Sequence, residues 1–324
     1  KTDYAPALML LMGDQVYVDA TAGVADPSDI ASIMSLYHRS LTQRYNNKFF
    51  AAAQVFSQLP AYMMLDDHEI NDNWNSHEVI FDAHEQERCE MAIAAFLSHQ
   101  WSHGARNNAG HPHYWTQFET EHINFFMLDT RLERTPAQPG YQNQLISDAQ
   151  FIALERWLND TRDQAKLRLV ISPSQLHNLE DEHILRSDAW SAYPNCLARL
   201  ATLLENQLHV GILCGDQHLH GLYSLDYHNA QGNLTRQIPV IVASPLYAPY
   251  PFANPRNDIA ANACVPIAQL SDSTKLSYRL LASNGCYQGF SQLVVEAHEQ
   301  GWRANIYQVD GVTPLFGEAN SISF

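Results

Sequence analysis

"LLMGDQVYVDA" occupies residues 10–20, and within it a short apolar run stops abruptly at Gly13 and Asp14. A core strand has no use for a carboxylate at its tip, because burying an unpaired charge is costly. One such stop indicates only where a loop begins. The stop gains meaning if other apolar runs of the chain end in the same way.

Five further apolar runs end in polar side chains. They are continuous rather than alternating, which is typical of strands buried on both faces. Because ligands of open α/β sheets gather at the carboxyl ends of strands, we expect one polar site built from several strand tips. The runs with their tips are AYMMLDDHEIND (61–72), HINFFMLDTR (122–131), LRLVISPSQ (167–175), HVGILCGDQHLHG (209–221) and IPVIVASPLY (238–247).

Amphipathic helical patterns lie between the runs. Ser28 or Asp29 is available to cap the first helix, and Ser147 with Gln150 has capping-box spacing in the third. The alternation of strand and helix predicts an α/β layered fold. A Pro-rich loop and a pair of strands then predict a β-rich end to a single domain over residues 1–324. The predicted helices cover 28–45, 85–101, 147–160 and 196–207; the loop covers 243–258 and the strand pair 289–311.

Composition narrows the class of protein. With 35 acidic and 19 basic side chains the formal net charge is −16. This charge repels bulk nucleic acid and anionic membranes, so a small ligand is a better expectation than a polynucleotide. No apolar run reaches membrane-span length, and the five scattered cysteines form neither a disulfide framework nor a zinc ribbon. Oligomeric state is left open.

Three of the strand tips carry metal-ligand chemistry. Carboxylates and imidazole together suit divalent and trivalent cations, and Asp14, Asp67, Asp216 and His218 offer that mixture. In an extended segment the last two project to the same side. Two cations about 3.5–4 Å apart can polarise a phosphoryl group and lower the pKa of a water molecule. His68 could donate a proton to a leaving oxygen.

Each of these motifs also has an ordinary structural interpretation. A lone Gly-Asp after a strand is usually a turn, and the DDHE segment could be a solvated loop. Arg131 could clamp a phosphate group, or it could pair with a neighbouring carboxylate. The three acidic tips occur in this order and each ends a core run. This pattern favours one shared site over three unrelated turns.

The order of the motifs resembles that of the calcineurin-like metallophosphoesterase superfamily, above all its PhoD-like (alkaline phosphatase D) branch. GDQVYVD is similar to GDQxYxD, LDDHEIND to WDDHExxND, and GDQH to GDxH. LDTR matches a further strand of the family. DAWSAYP resembles D-x-W-x-G-Y-P, with Ala192 in place of Gly. The resemblance covers residues 8 to 250.

The resemblance implies a four-layer αββα sandwich with mixed sheets, whose dinuclear metal site hydrolyses phosphate monoesters or diesters. Asp14 would bridge the metals and Tyr17 would be a phenolate ligand to Fe(III). Asp67, Asp216 and His218 would complete the ligands, and His68 would stabilise or protonate the leaving group. The family is known with Fe(III) and Ca(II), and its relatives use Zn(II) or Mn(II).

One motif of the family has no counterpart. Its first strand, which ends in Ser-Cys, should precede Asp14, so we expect the true N-terminus to lie upstream of Lys1. This leaves the compartment open between the cytoplasm and the periplasm or exterior. It also leaves a rival hypothesis, in which a non-catalytic member of the fold binds metal or ligand without turnover.

Overall fold

The computed structural model describes residues 5–19, 29, 31–35, 57–76, 83–104, 113–137, 140, 142–177, 188–244, 263–285, 289–299 and 301–324. The first part of the chain alternates strands and helices. Its elements are β1 (Met9–Met12), β2 (Ala61–Met64), α1 (Ala83–His99), a 3-10 turn (Trp101–His103), β3 (Thr116–Glu119), β4 (Ile123–Met127), α2 (Asp148–Asp160), β5 (Leu167–Ser172), a second 3-10 turn (Trp190–Ala192), α3 (Pro194–Leu204) and β6 (Val210–Cys214).

The second part of the chain consists mainly of strands. Its elements are β7 (His220–His228), β8 (Leu234–Val242), β9 (Cys264–Gln269), β10 (Lys275–Asn284), β11 (Ser291–His298), β12 (Gly301–Gln308), a third 3-10 turn (Gly317–Ala319) and β13 (Ser321–Ser323). The predicted change to a β-rich end and the strand pair within 289–311 are confirmed. Of the predicted loop 243–258, all but the first two residues lie outside the described part of the chain.

The described strands form three sheets. The largest has the order β3-β4-β5-β6-β8-β7-β10-β9. Its inner strands β4, β5, β6 and β8 are parallel, while β3, β7, β9 and β10 join antiparallel. Strands β1 and β2 form a parallel pair, and β11, β12 and β13 form an antiparallel sheet.

The two faces of the large sheet pack against different layers. On one face Leu154 of α2 and Leu197 of α3 pack with Val170 and Ile212 of the sheet. On the other face the small sheets pack, with Leu10 of β1 and Ile306 of β12 among the contacts. Helix α1 then packs against the loops that follow β1 and β2. The result is the four-layer αββα sandwich with mixed sheets.

Helix termini follow the predicted capping chemistry only in part. Ser147 caps α2, its side chain accepting from the backbone N–H of Gln150. A full capping box would return the Gln150 side chain to Ser147, but this amide instead binds both backbone groups of Asp129, at 2.8 and 2.9 Å. Glu133 accepts the Ser147 N–H in its place. Gln150 is thus used to hold the loop that follows β4.

Helix positions agree with the amphipathic patterns where the chain is described. Of the two predicted caps, Asp29 caps the first helix, because its carboxylate accepts the N–H of Ser32 at 2.9 Å; Ser28 lies outside the described residues. Residues 31–35 of that helix are helical and the rest lies outside the described residues. Within the described residues, no helix combines the length and the apolar character that crossing a bilayer requires.

Candidate metal centre

The carboxyl ends of three strands meet at one edge of the sandwich. Strands β1 and β2 are parallel and pair Met12 with Met64, so the residues after them emerge side by side. The third tip follows β6. A Cβ added to Gly215 would lie 2.7 Å from the Met12 carbonyl oxygen, so this backbone runs directly against the end of β1. The polar tips predicted from the sequence therefore come together.

An acidic cluster forms where the tips meet. The carboxylates of Asp14, Asp66, Asp67 and Asp216 each place an oxygen within 4.8 Å of one another. A second group, with the same mutual spacing, consists of Asp14, Asp67 and His68. Asp14 and Asp67 belong to both groups, so the two groups overlap. We use "acidic cluster" for the four aspartates.

The backbone at these tips adopts a conformation that side chains usually avoid. Asp14, Asp216 and His218 have φ of 57°, 69° and 55°, in the left-handed region that few non-glycine residues adopt. Such outliers concentrate at functional sites, where the surrounding structure enforces them. Gly13 has φ of 96°, and a Cβ there would lie 2.3 Å from that of Asp66. The glycine of the Gly-Asp motif is therefore required by close backbone approach.

Glu69 holds these turns in place from beneath. Its buried carboxylate accepts the backbone N–H groups of Asp14, Gln15 and Asp66 at 3.0, 2.7 and 2.9 Å. Gln100 donates to it as well, at 3.1 Å. A carboxylate that accepts several backbone N–H groups fixes a turn much as an anion in a backbone nest would. Glu69 is not among the site residues predicted from the sequence, although it is the fourth polar residue of DDHE.

We expect Glu69→Gln to destabilise the protein by about 3 kcal/mol. The amide would turn an NH2 group toward backbone donors, leaving buried donors without an acceptor. Urea unfolding of chelator-treated protein measures the change. Glu121→Gln is the matched control, because Glu121 lies in the β3–β4 connection with a side chain 88% exposed. Equal stability of Glu69→Gln and Glu121→Gln would contradict the role given to Glu69.

Arg131 lies behind the acidic cluster and is fully buried. Its Nε binds Asp66, its Nη2 lies 3.3 Å from Asp67, and both its Nη atoms bind Asp188. Arg134 pairs with the same Asp188 carboxylate. The guanidinium of Arg131 thus pairs with neighbouring carboxylates. Of the two roles that the sequence allowed, a phosphate clamp and an ion pair, the structure shows the ion pair. Asp188 is the first residue of DAWSAYP, which gives that motif a place in the site.

His68 is oriented by Asp19, the last residue of the GDQVYVD stretch. The Asp19 carboxylate lies 2.8 Å from His68 Nδ1 and also accepts the Asp72 N–H at 2.7 Å. The chain turns at Asp67, whose carbonyl accepts the N–H groups of Ile70 and Asn71. This turn lets two adjacent side chains, Asp67 and His68, face the same site, which an extended strand would forbid.

Burial and charge act on His68 in opposite directions. Burial alone would lower the pKa of the imidazole. The hydrogen bond that His68 donates to Asp19 and the charges of Asp67 and Asp19 together outweigh burial, and raise this pKa to about 9. The imidazole is therefore protonated at neutral pH, the state from which it can donate a proton. Its ring also packs on Tyr17, with centroids 4.3 Å apart.

Tyr17 and His218 lie together at one side of the site. The Tyr17 hydroxyl is 3.2 Å from His218 Nε2. Burial, and then the charge of Asp14, raises the pKa of the phenol. His218 belongs to neither of the two ligand groups with 4.8 Å spacing. Both residues are predicted metal ligands, and the structure brings their side chains into contact with each other.

A family model of the PhoD-like phosphatases matches residues 1–302. The chain belongs to the PhoD-like phosphatase family. Among solved structures it resembles "Structure of PhoD", with a TM-score of 0.50 and 18% identity over 75% of this chain. The match covers 52% of the other chain, so the present chain spans about half the length of that relative. At this identity the likeness shows the fold alone.

Two other solved structures are similar at lower scores. One is described as GAP50, the anchor in the inner membrane complex of Plasmodium. It has a TM-score of 0.44 and 12% identity, and the match covers 93% of this chain and 74% of that one. The other, a dimetal phosphatase from Danio rerio, has a TM-score of 0.36 and 11% identity, with 74% and 88% covered. Curated proteins gave no match.

The electrostatics of this PhoD-like chain leave its acidic cluster in need of positive charge. Burial, and then the charge of Asp67, raises the pKa of Asp14. Burial, followed by the charges of Asp66 and Asp67, raises that of Asp216 to about 7. For Asp67 burial is again the largest single effect, but the charges of Arg131 and His68 and the hydrogen bond from the Asn73 N–H together outweigh it, and the pKa is lowered. One guanidinium against four carboxylates leaves an excess of buried negative charge.

The side chains of the PhoD-like site fit bound cations. Asp66 Oδ2 is buried and accepts no hydrogen bond within the described residues. Asp67 Oδ1 has no hydrogen bond there either, beyond its ion-pair contact with Arg131. Such oxygens are costly to bury unless a cation meets them. Oxygen ligands with an adjacent imidazole are typical of sites for hard and borderline metal ions.

Proposed function

We propose that this chain hydrolyses phosphate monoesters or diesters at a two-cation site formed by the tips of β1, β2 and β6. The observation that carries the proposal is the pair of overlapping ligand groups sharing Asp14 and Asp67. Buried carboxylates in such excess are typical of hydrolytic two-metal centres. Membership of a phosphatase family supports the same reaction class.

Asp14 and Asp67 would contact both cations, Asp66 and Asp216 would complete one position, and His68 lies beside the other. We also assign Tyr17 and His218 as ligands, because their hydroxyl oxygen and Nε2, 3.2 Å apart, are close enough to bind one cation together. When bound, the cations would polarise the phosphoryl group and lower the pKa of a water molecule. We propose Fe(III) with Ca(II), with Zn(II) and Mn(II) as alternatives.

In this proposal His68 protonates the leaving oxygen. Despite burial, the hydrogen bond and charge of Asp19 raise the pKa of its imidazole and favour the protonated form; Asp19 also holds Nδ1 at 2.8 Å, which directs Nε2 away from Asp19. The remaining ring nitrogen can then transfer its proton as the ester bond breaks, and the leaving alcohol departs neutral. Asp19 is a positioning residue, because it acts through the imidazole.

For Arg131 we propose a charge-balancing role rather than a phosphate contact. Its guanidinium has no exposed surface and is engaged by Asp66, Asp67 and Asp188. It thereby lowers the repulsion that three close carboxylates would otherwise suffer. The substrate we favour is a small soluble ester, because a net charge of −16 repels a polynucleotide.

The proposal predicts that metal removal abolishes activity on a chromogenic phosphate ester. Protein treated with chelator and then desalted should lose turnover, and separate additions of Fe(III) with Ca(II), Zn(II) or Mn(II) should restore it to different extents. Elemental analysis before and after treatment shows that metal has left. Turnover that persists after complete metal removal contradicts this mechanism, and a fully metallated chain without turnover favours the non-catalytic rival.

A further inference from the structure

A pocket of about 330 Å³ lies outside the acidic cluster, since none of the four aspartates lines it. Its walls come from the loop after β2, the loop after β4 and helix α1. The first two loops also carry Asp67 and Arg131, but neither residue lines the pocket. Its volume suits a small ligand. The lining residues used below are Trp74, His113, Tyr114, Asp129 and Glu133.

Two carboxylates give the pocket its charge. Within the described residues, neither Asp129 nor Glu133 forms an ion pair. Asp129 uses Oδ1 to accept the N–H groups of Arg131 and Leu132, both at 3.0 Å. Glu133 uses Oε2 for its hydrogen bonds to Ser147 and Gln150. Each carboxylate therefore keeps one oxygen that accepts no hydrogen bond from the described part of the chain.

An indole donor gives the pocket a second, independent feature. Trp74 is 2% exposed, and its Nε1–H finds no acceptor in the part of the chain that the structure describes. Buried polar groups are normally satisfied, and an orphan donor calls for a partner outside the described part of the chain. The occupant must therefore offer an acceptor to Trp74 as well as positive charge to the carboxylates.

The spacing of the acidic groups favours an organic cation over a metal ion. Within the described residues, groups of metal-ligand atoms spaced within 4.8 Å occur at the acidic cluster, and none includes Asp129, Glu133 or His113. A single ion could not contact all three. Aromatic faces, here Trp74 and Tyr114, attract ammonium groups through cation–π interaction.

We propose that this pocket binds a small amino alcohol, whose ammonium group contacts Asp129 and Glu133 and whose hydroxyl oxygen accepts the Trp74 N–H. Recognition needs both halves of the ligand. An ammonium without a hydroxyl leaves the indole donor unsatisfied, and a neutral alcohol leaves the carboxylates without a counter-charge. The binding does not depend on hydrolysis or on metal.

Ethanolamine and ethylamine are the two probes. They share the ammonium group and differ in the hydroxyl, and titration by ligand-observed NMR gives both affinities. Chelator-treated protein is used so that neither probe can bind a metal ion. We expect the wild type to bind ethanolamine about 3- to 10-fold more tightly than ethylamine, the range that one hydrogen bond supplies.

Two variants separate the two contacts. Trp74→Phe removes the donor and keeps an aromatic ring, so it should bind both probes with the affinity that the wild type has for ethylamine. Asp129→Asn keeps an oxygen for the loop N–H groups but loses the charge, so both probes should bind about tenfold more weakly. Glu133→Gln should act in the same direction as Asp129→Asn.

Matched controls lie outside the pocket. Trp302→Phe loses an indole donor that already binds the Ala165 carbonyl at 3.1 Å, and Glu121→Gln loses an exposed charge; both should bind the probes like wild type. Circular dichroism melting shows whether each variant is folded. The proposal is overturned if wild-type protein shows no saturable ethanolamine binding. It is equally overturned if folded Trp74→Phe keeps the wild-type preference for ethanolamine.

Discussion

Asp14→Asn should lose bound metal and at least about 10³-fold in turnover. Asp14, like Asp67, belongs to both ligand groups, so its carboxylate could contact two cations. An amide cannot bridge them, and the loss of several kcal/mol of transition-state stabilisation corresponds to a rate loss of this size. Asn is preferred to Ala because it tolerates the φ of 57° at this position.

The same substitution should leave the metal-free protein at least as stable as wild type. Asp14 is buried among Asp66, Asp67 and Asp216, and burial with their charges raises its pKa. Removing one charge relieves repulsion that only a cation otherwise offsets. Thermal unfolding with chelator should therefore give an equal or higher melting temperature for Asp14→Asn. Added metal should stabilise wild type and have little effect on the variant.

The pH dependence of the metal-free protein has a definite sign. Burial raises the pKa values of Asp216 and Glu69 to about 7, whereas unfolded carboxyls titrate near 4. Between these values the folded state binds more protons than the unfolded state, so stability falls as pH rises across that window. Stability unchanged from pH 5 to 8, or an Asp14→Asn variant that keeps full metal content, would contradict this account of the acidic cluster.

Much of this architecture could be predicted because the informative strands are mainly apolar. Every residue of β5 and β6 is buried, as their continuous apolar runs indicate. Strand β1 is an exception, since its residues are only half-buried. The family resemblance is confirmed by the family match. That residues 1–324 form one domain stays a prediction.

Strands that bury polar side chains could not be predicted from apolar runs. Strand β7 is almost wholly buried, yet it carries Asp226, which pairs with Arg279 at 2.8 Å and accepts from Gln237 at 2.9 Å. The apolar pattern is interrupted because the charges are satisfied by partners on neighbouring strands. Such compensation is a tertiary property, and nothing local in the sequence marks it.

The residues of the candidate site also differ in whether the sequence could predict them. Asp14, Asp67 and Asp216 could be predicted as a group, because each follows a run whose strand direction is set by the fold. Asp66 and Glu69 could not, because their roles depend on which backbone groups the turns bring near them. Glu69 reaches the Asp14 turn across 55 positions of sequence. For Asp19, the contact with His68 depends on the bend at Asp67.

His68→Ala should lower turnover by about 10²–10⁴-fold while metal content stays near that of wild type. This is the usual contribution of general acid–base catalysis. Asp67→Ala is the contrasting variant, because losing a carboxylate shared by both ligand groups should remove metal itself. Elemental analysis beside rate measurements separates the two. If His68→Ala loses metal as completely as Asp67→Ala, then His68 is a ligand and not an acid.

The leaving group provides a sharper test of the acid role. A nitrophenolate departs without a proton, whereas an alkoxide needs one, so His68→Ala should cost far more with an alkyl phosphate than with a nitrophenyl phosphate. Asp19→Asn should act in the same direction but less strongly, since the imidazole remains. Equal losses on the two esters would show that His68 acts on something other than the leaving oxygen.

Asp19→Asn should also move the basic limb of the pH–rate profile. The acid must be protonated, so activity falls as pH rises through the pKa of His68, which lies at about 9 without metal. Bound cations lower that value, and so does the loss of Asp19, whose hydrogen bond and charge raise it. We expect the limb of Asp19→Asn to shift downward, toward the ordinary histidine value near 6.5.

Asp72→Asn is the matched control. Asp72 contacts the Asp19 carboxylate through its backbone N–H, so the substitution keeps that hydrogen bond. It removes only the smallest of the charge effects on His68, and its limb should stay close to that of wild type. An unshifted limb in Asp19→Asn would mean that the imidazole is not the group that titrates.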